Sequence, residues 1–304
     1  MDLDFVRIEC DVTADSITQL TTVLHEELRN FEAHFKTSSC RTSHTVCPSC
    51  GEQDGCPYRI VFSQRLSSDP EIVRLHQKPP LPFALYIEER DSDFSNGAIS
   101  VGLVVIGTAV NYVELFHTAL LGMINTAVCS VLDSEKYSLH SYTLDYQGVR
   151  HELSHGNSFP ADMILLSAHH ILHNSADSDS VRISLKSPLR LLCNGSIIHL
   201  FDFAAFFRSQ MRRCSSLCAY YGCGELNLDF VQLSDVSQKV AVFDDHIRYS
   251  QPQWSKRQNR AGLTGFAECS GLVAPMSALL FLGSFFNAGK GATFGSGHYE
   301  VEAL

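Results

Sequence analysis

The order of strand-like and helix-like stretches predicts two α+β or α/β modules in tandem, each with helices packed against a sheet. Three observations carry that expectation. Each half of the chain alternates strand and helix patterns in βαβ-like order. The polar stretch Ser130–Glu135 separates the halves and sets the expected division into residues 1–133 and 134–304. A chain of 304 residues that is 45% hydrophobic and only 18% charged is globular, with enough sequence to bury a core in each half.

Residues 4–12 alternate as a strand does. Ser16-Ile-Thr-Gln19 reads as a capping box, and Ile17, Leu20, Leu24, Leu28, Phe31 and Phe35 then recur at helical spacing over roughly five turns. From about 37 to 58 the sequence turns rich in Ser, Cys, Gly and Pro and loses all period, which marks a loop. Beyond the diproline at 79–80, residues 83–88 and 99–106 read as strands around the turn-rich DSDFSNG, and 112–123 as a helix. The second half predicts strands at 142–149, 181–185, 240–249, 263–268 and 298–302, a long helix over 202–221 and an apolar helix over 276–286. The apolar stretches 98–110 and 272–288 read as buried core: the first is too short to span a membrane, and the second is interrupted by Pro275, Ser277, Ser284 and Asn287. The acidic, interrupted start MDLDFVRIECD lacks the form of a signal peptide, so a cytoplasmic protein with no membrane partner is expected.

A net charge of −10 disfavours contact with a polyanion, because phosphate binding draws its affinity from Lys and Arg. The charges are unevenly spread, however. Residues 181–220 hold Arg182, Lys186, Arg190, Arg208, Arg212 and Arg213 against Asp202 alone, and Lys256, Arg257, Arg260 and Lys290 follow. A polyanion should therefore meet the C-terminal half.

Cys40, Cys47, Cys50 and Cys56 place four thiols within seventeen residues, with Cys47-Pro-Ser-Cys50 as a CxxC knuckle. Structural zinc is the expected occupant, since four thiolates suit tetrahedral Zn and a metal would order a segment poor in apolar residues. An iron–sulfur cluster, a redox role and free thiols are the alternatives, with His44 as another ligand. Cys10, Cys129, Cys193 and Cys269 sit in apolar contexts and are expected in the core, as are Cys214 and Cys218, one helical turn apart. His151-Glu152-Leu-Ser-His155 permutes the HExxH order of a zinc protease, and His169, His170 and His173 read as a polar helix face.

Gly289, Gly291, Gly295 and Gly297 surround Lys290 and Thr293 near the C-terminus. Such a loop either offers backbone N–H groups to a phosphate or makes a tight turn into a last strand. The lysine precedes most of the glycines, which argues against the phosphate loop of nucleotide hydrolases. The segment GKGATFGSGHYEVE resembles the terminal glycine-rich loop and strand of the RAMP-superfamily endoribonucleases that cut CRISPR precursor RNA. Ser255-Lys-Arg257-Gln258 followed by Gly262 to Gly265-Phe266 is similar to that family's S-x-RQ…G-x-x-G stretch. Ser187-Pro-Leu-Arg190, the Arg212-Arg213 pair, the C…CxxC…CPY block before Phe62 and Pro79-Pro-Leu-Pro-Phe83 also match, in order over most of the chain.

The resemblance implies two tandem ferredoxin-like (RRM-like) modules of α+β type with a small Cys-rich insertion. It further implies that CRISPR repeat RNA tracks over Arg190, Arg208, Arg212, Arg213, Lys256, Arg257, Gln258 and the glycine-rich loop. Cleavage would be metal-independent, the 2′-hydroxyl attacking in line to leave a 2′,3′-cyclic phosphate and a 5′-hydroxyl. The family often places a catalytic histidine on or just after the first helix, so His34 with Lys36 is the first choice here, His25 and His44 the others, and Arg29 a further cation. No tyrosine lies between Met1 and Tyr58, which departs from versions of the site that use one. The alternative is a cleavage-inactive RNA-binding subunit of a CRISPR effector complex that holds the 3′ repeat end of the crRNA.

Overall fold

A computed structural model describes residues 3–14, 17–40, 47, 50–51, 55–90, 98–131, 137–153, 163–175, 177–193, 195–224, 226, 228–250 and 261–304. They form two compact units, Asp4–Leu166 and Ser167–Leu304, the latter joined by the first residues of the chain.

The first unit runs β1 (Asp4–Ala14), α1 (Ile17–Glu27), α2 (Phe31–Ser39), α3 (Pro57–Phe62), α4 (Pro70–Leu75), β2 (Phe83–Arg90), β3 (Ala98–Ile106), α5 (Val113–Val131), β4 (Tyr137–Leu144) and β5 (Arg150–Glu152). Its strands are antiparallel in the order β2-β3-β1-β4-β5. With α3, α4 and β5 set aside, this is the β-α-β-β-α-β ferredoxin-like arrangement. The single long helix expected from the apolar stripe is broken by a 3-10 turn at Leu28–Asn30, where the Asn30 amide folds back on the Glu27 carboxylate at 3.2 Å. The stripe itself survives the break: Leu20, Leu24, Leu28, Phe31 and Phe35 are all buried. Phe35 meets Phe116 of α5 at 4.6 Å between ring centroids, Phe31 meets Phe83 at 5.2 Å, and Phe62 brings α3 onto the same cluster at 5.7 Å from Phe83. The stretch 107–131 has the length and apolarity of a membrane-crossing helix, and in this fold α5 buries Phe116, Leu120, Met123, Ile124 and Val128.

The division falls at 166/167 rather than at the expected 133/134, because β4 pairs along β1 from Arg7↔Leu144 to Ala14↔Tyr137 and so belongs to the first sheet. The strand expected at 142–149 also ends early. The Asp145 carboxylate accepts N–H groups from Gln147 (2.8 Å) and Val149 (2.9 Å), and Gly148 takes φ +79°, turning the chain back into β5.

After the short strand β6 (Leu166–Ser167), the second unit runs α6 (Ala168–Asn174), β7 (Ser180–Leu189), β8 (Leu192–Cys193), β9 (Ser196–Ile197), α7 (Phe203–Tyr221), α8 (Phe230–Ser237), β10 (Ala241–Asp245), β11 (Arg248–Ser250), β12 (Gly262–Ser270), α9 (Ala274–Ser284) and β13 (Tyr299–Ala303). The sheet order β10-β12-β7-β13 repeats the ferredoxin-like pattern, with β11 also pairing β12. The strand expected at 240–249 is thus two pieces. Gly265 on β12 holds φ +116°, and a Cβ there would lie 2.3 Å from the His246 carbonyl, so the chain bulges between the pieces. Cys10, Cys214, Cys218 and Cys269 are buried as expected, whereas Cys129 and Cys193 are exposed. His169, His170 and His173 lie exposed on α6.

Candidate functional site

The glycine-rich loop joins α9 to β13 and folds onto the end of β7, so two segments a hundred residues apart in sequence form one structure. Lys290 N–H donates to the Arg190 carbonyl (2.8 Å), Gly297 N–H to the Pro188 carbonyl (3.0 Å) and Ala288 N–H to the Gly297 carbonyl (2.8 Å). Gly289, Gly291, Gly295 and Gly297 all take positive φ. Close approach adds to that demand at two of them: a Cβ on Gly289 would meet the Arg190 carbonyl at 2.4 Å, and one on Gly297 the Ala288 carbonyl at 2.1 Å. Side chains finish the frame. Asn287 donates to the Ala292 carbonyl (2.8 Å), leaving its Oδ1 to accept from His298 Nδ1 (3.0 Å), while Ser187 Oγ accepts His298 N–H (2.8 Å).

Thr293, Gly295 and Gly297 are therefore internal to the loop, and only its tip, Lys290 and Gly291, is exposed. Ser187, Asn287 and His298 were not singled out as site residues from sequence, although Ser187 and His298 lie inside the two segments that were.

The basic excess of residues 181–220 is smaller in space than in sequence. Arg182 donates through Nε to Glu268 (2.9 Å), and Lys186 pairs with Glu300 (2.8 Å). Arg190 is buried beneath the loop. Arg213 turns inward and donates to the Phe286 carbonyl at 2.6 Å, bracing the end of α9, and burial lowers its guanidinium to about 10. Arg212 is exposed and half-buried Arg208 sits one turn before it, with Arg212 Nε 3.3 Å from the Arg208 carbonyl. Lys256, Arg257 and Gln258 lie outside the described residues.

In the first unit His34 is reachable from solvent, its side chain 19% exposed, and its Nε2 lies 3.3 Å from the Glu27 carboxylate. Its Nδ1 faces Gly122 of α5, 3.6 Å from where a Cβ would stand. Lys36 is not on that side. Two residues along a helix point apart, and the Lys36 ammonium lies 5.3 Å over the ring of Tyr58. Tyr58 in turn donates to Glu32 at 2.7 Å, and burial together with that carboxylate holds its phenol well above the usual tyrosine range. His34 and Lys36 are thus not brought together, while a tyrosine, absent before position 58 in sequence, reaches α2 through α3. His25 is half-buried on α1, and His44 lies outside the described residues.

Cys40 caps the C-terminal end of α2, Cys56 the N-terminal end of α3, and Cys50 N–H donates to the Cys47 carbonyl (3.3 Å). Four half-buried thiols are a zinc donor set in chemistry. In arrangement they are not yet a site: among the described residues no three His, Cys, Asp or Glu are grouped to hold a metal ion.

Residues 183–299 match the family model of the CRISPR-associated endoribonuclease Cas6. That match makes the second part of the chain similar to the Cas6 family. Residues 3–147 match a second model, that of an N-terminal domain, AF_1859_N. The Cas6 match begins on β7 and ends on β13, so it encloses the strand end, the loop and the frame between them. His25, His34 and Lys36 fall in the other match. Solved Cas6 structures share the fold over nearly the whole chain. Thermus thermophilus Cas6 (TTHB231) aligns at 12% identity and TM-score 0.53, covering 99% of each chain. A product complex of Cas6 (TTHB231) aligns at 14% and 0.55, over 98% of this chain and 99% of that one. A product complex of Cas6 (TTHA0078) aligns at 11% and 0.51, over 99% and 100%. No curated protein matches the sequence.

Proposed function

We propose that this chain binds CRISPR repeat RNA in the cytoplasm and cleaves it without a metal ion, giving 2′,3′-cyclic phosphate and 5′-hydroxyl ends. The observation that supports this most is the Cas6 match over residues 183–299, whose two most distinctive segments fold into one frame with Lys290 at its exposed tip. RNA carries its own nucleophile, so the protein has to supply a base for the 2′-hydroxyl proton, an acid for the departing 5′-oxygen and donors for the phosphorane charge.

His34 is the base in this proposal. Its Nε2–H, donated to Glu27, leaves the lone pair on Nδ1 and holds the ring in one orientation. His34→Ala should lower cleavage by about 10²–10⁴-fold while leaving RNA affinity unchanged. An unchanged rate would remove His34 from the chemistry.

A second function is favoured by the same residue, since an imidazole four-fifths covered and paired to a carboxylate also describes a histidine that only packs. The protein would then hold the repeat end of the guide RNA within a larger effector. Incubation of the purified protein with its repeat RNA in EDTA separates the two: a cyclic-phosphate product establishes the nuclease, and tight binding with intact RNA establishes the holder.

A further inference from the structure

His199 and Tyr249 lie face to face, ring centroids 4.0 Å apart and planes 11° from parallel. Tyr249 is half-buried on β11 and His199 is exposed, so the imidazole forms the outer layer of the stack. Nothing in the loop frame or the His34 site accounts for this pair, yet its position ties it to the loop. Tyr249 pairs with Leu263, and Leu263 with Leu189. Leu189 packs under the glycine-rich loop, its Cδ1 within 3.2 Å of a Cβ position on Gly289 and 3.0 Å of one on Gly297. Two strand spacings, about 10 Å, therefore separate Tyr249 from the strand on which the loop rests.

His199 arrives from the same strand end. It follows the β8–β9 hairpin, whose base is closed by Ile198 N–H donating to the Leu191 carbonyl (3.1 Å), one residue past Arg190. On the other side, β11 is tied to β12 where Ser250 pairs with Gly262.

Exposed aromatic faces are how proteins hold unpaired nucleotides, because every base has a face that can stack on the ring. We infer that His199, backed by Tyr249, is a stacking platform for one unpaired nucleobase of the RNA. This rests on the RNA-binding function proposed above. The stack is indifferent to base identity, so it sets the position of the strand rather than its sequence.

The experiment uses repeat RNA with 2-aminopurine at successive unpaired positions, titrated with wild type, His199→Ala, His199→Phe and Tyr249→Ala. One position should be quenched by wild type. His199→Ala should relieve that quenching and raise Kd by about 5- to 150-fold, the range for loss of one base–aromatic stack. His199→Phe should restore both, which a hydrogen-bonding or charge role for the imidazole would not allow. Wild-type binding with an unaltered His199→Ala variant would overturn the platform alone. No binding by wild type would overturn the RNA-binding function and the platform with it. Because His199 is exposed, its variants report even if Tyr249→Ala destabilises the sheet.

Discussion

Arg212 and Arg213 are neighbours in sequence and both were expected to contact RNA, but α7 turns successive side chains about 100° apart. Arg212 faces solvent, whereas Arg213 is drawn under α9 by its 2.6 Å bond to the Phe286 carbonyl. They should respond differently to the same change. Arg212→Ala should weaken RNA binding and make the slope of log K against log salt shallower by about 1, with the melting temperature unchanged. Arg213→Ala should leave the slope alone and cost about 1–3 kcal/mol of stability, since it orphans a buried carbonyl and loses a charge-assisted bond. Denaturant unfolding of the two variants measures the second effect. Equal loss of stability in both would show that Arg213 is not the brace. The pairing of His34 with Glu27 belongs to the same scale: it joins two helical segments across the break at 28–30, and a stripe read as one helix gave no hint of it.

The glycine-rich loop shows how far an element can be read from sequence. Four glycines around one lysine leave a phosphate-facing loop and a tight turn equally open; the structure shows the tight turn and leaves only the tip exposed. Gly297 at φ +64° and Gly289 at φ +72° are required by the approach to the Ala288 and Arg190 carbonyls, while the exposed tip with Lys290 is the part a phosphate can reach. Gly297→Ala should lower the melting temperature sharply, combining about 1–2 kcal/mol of left-handed strain with a backbone clash. Gly291→Ala, which meets only the Ser296 side chain, at 3.0 Å from its Oγ and 3.3 Å from its Cβ, should cost less. A thermal melt that ranks them the other way would place the rigid part of the loop at its tip.

Two modules of mixed strands and helices were legible because strand alternation and the α1–α2 stripe are local signals, while their ferredoxin-like topology was implied only by the family resemblance. Their boundary was not, because the claim of β1 on β4 is a pairing between residues more than a hundred positions apart. The cysteine quartet has the opposite character: its spacing reads clearly, yet its thiols sit at two helix ends and a turn without converging. We propose that zinc gathers them. Metal analysis should find about one zinc per chain, lost in Cys47→Ser with Cys50→Ser. A metal-free protein with an unchanged circular dichroism spectrum would refute it.

Charge is a property of the whole molecule, and −10 is a poor net charge for a nucleic-acid binder. The structure sharpens the difficulty, since Arg182 and Lys186 are engaged by Glu268 and Glu300, Arg190 is buried, and half-buried Arg213 is engaged by the Phe286 carbonyl. The cations counted for the proposed RNA path are Arg208, Arg212 and Lys290, together with Lys256, Arg257 and Arg260, which lie outside the described residues. Six neutralised phosphates correspond to a slope of log K against log salt of about −4 to −5, depending on whether the contacted RNA is single- or double-stranded. A titration of repeat RNA binding between low and physiological salt should fall within that range. A much steeper slope would require the ion pairs on the second sheet to open when RNA binds. A slope near zero would mean that stacking and backbone N–H contacts at the loop hold the RNA with little help from charge. The six-cation path therefore stands or falls on one measured gradient, independently of whether the chain cuts what it binds.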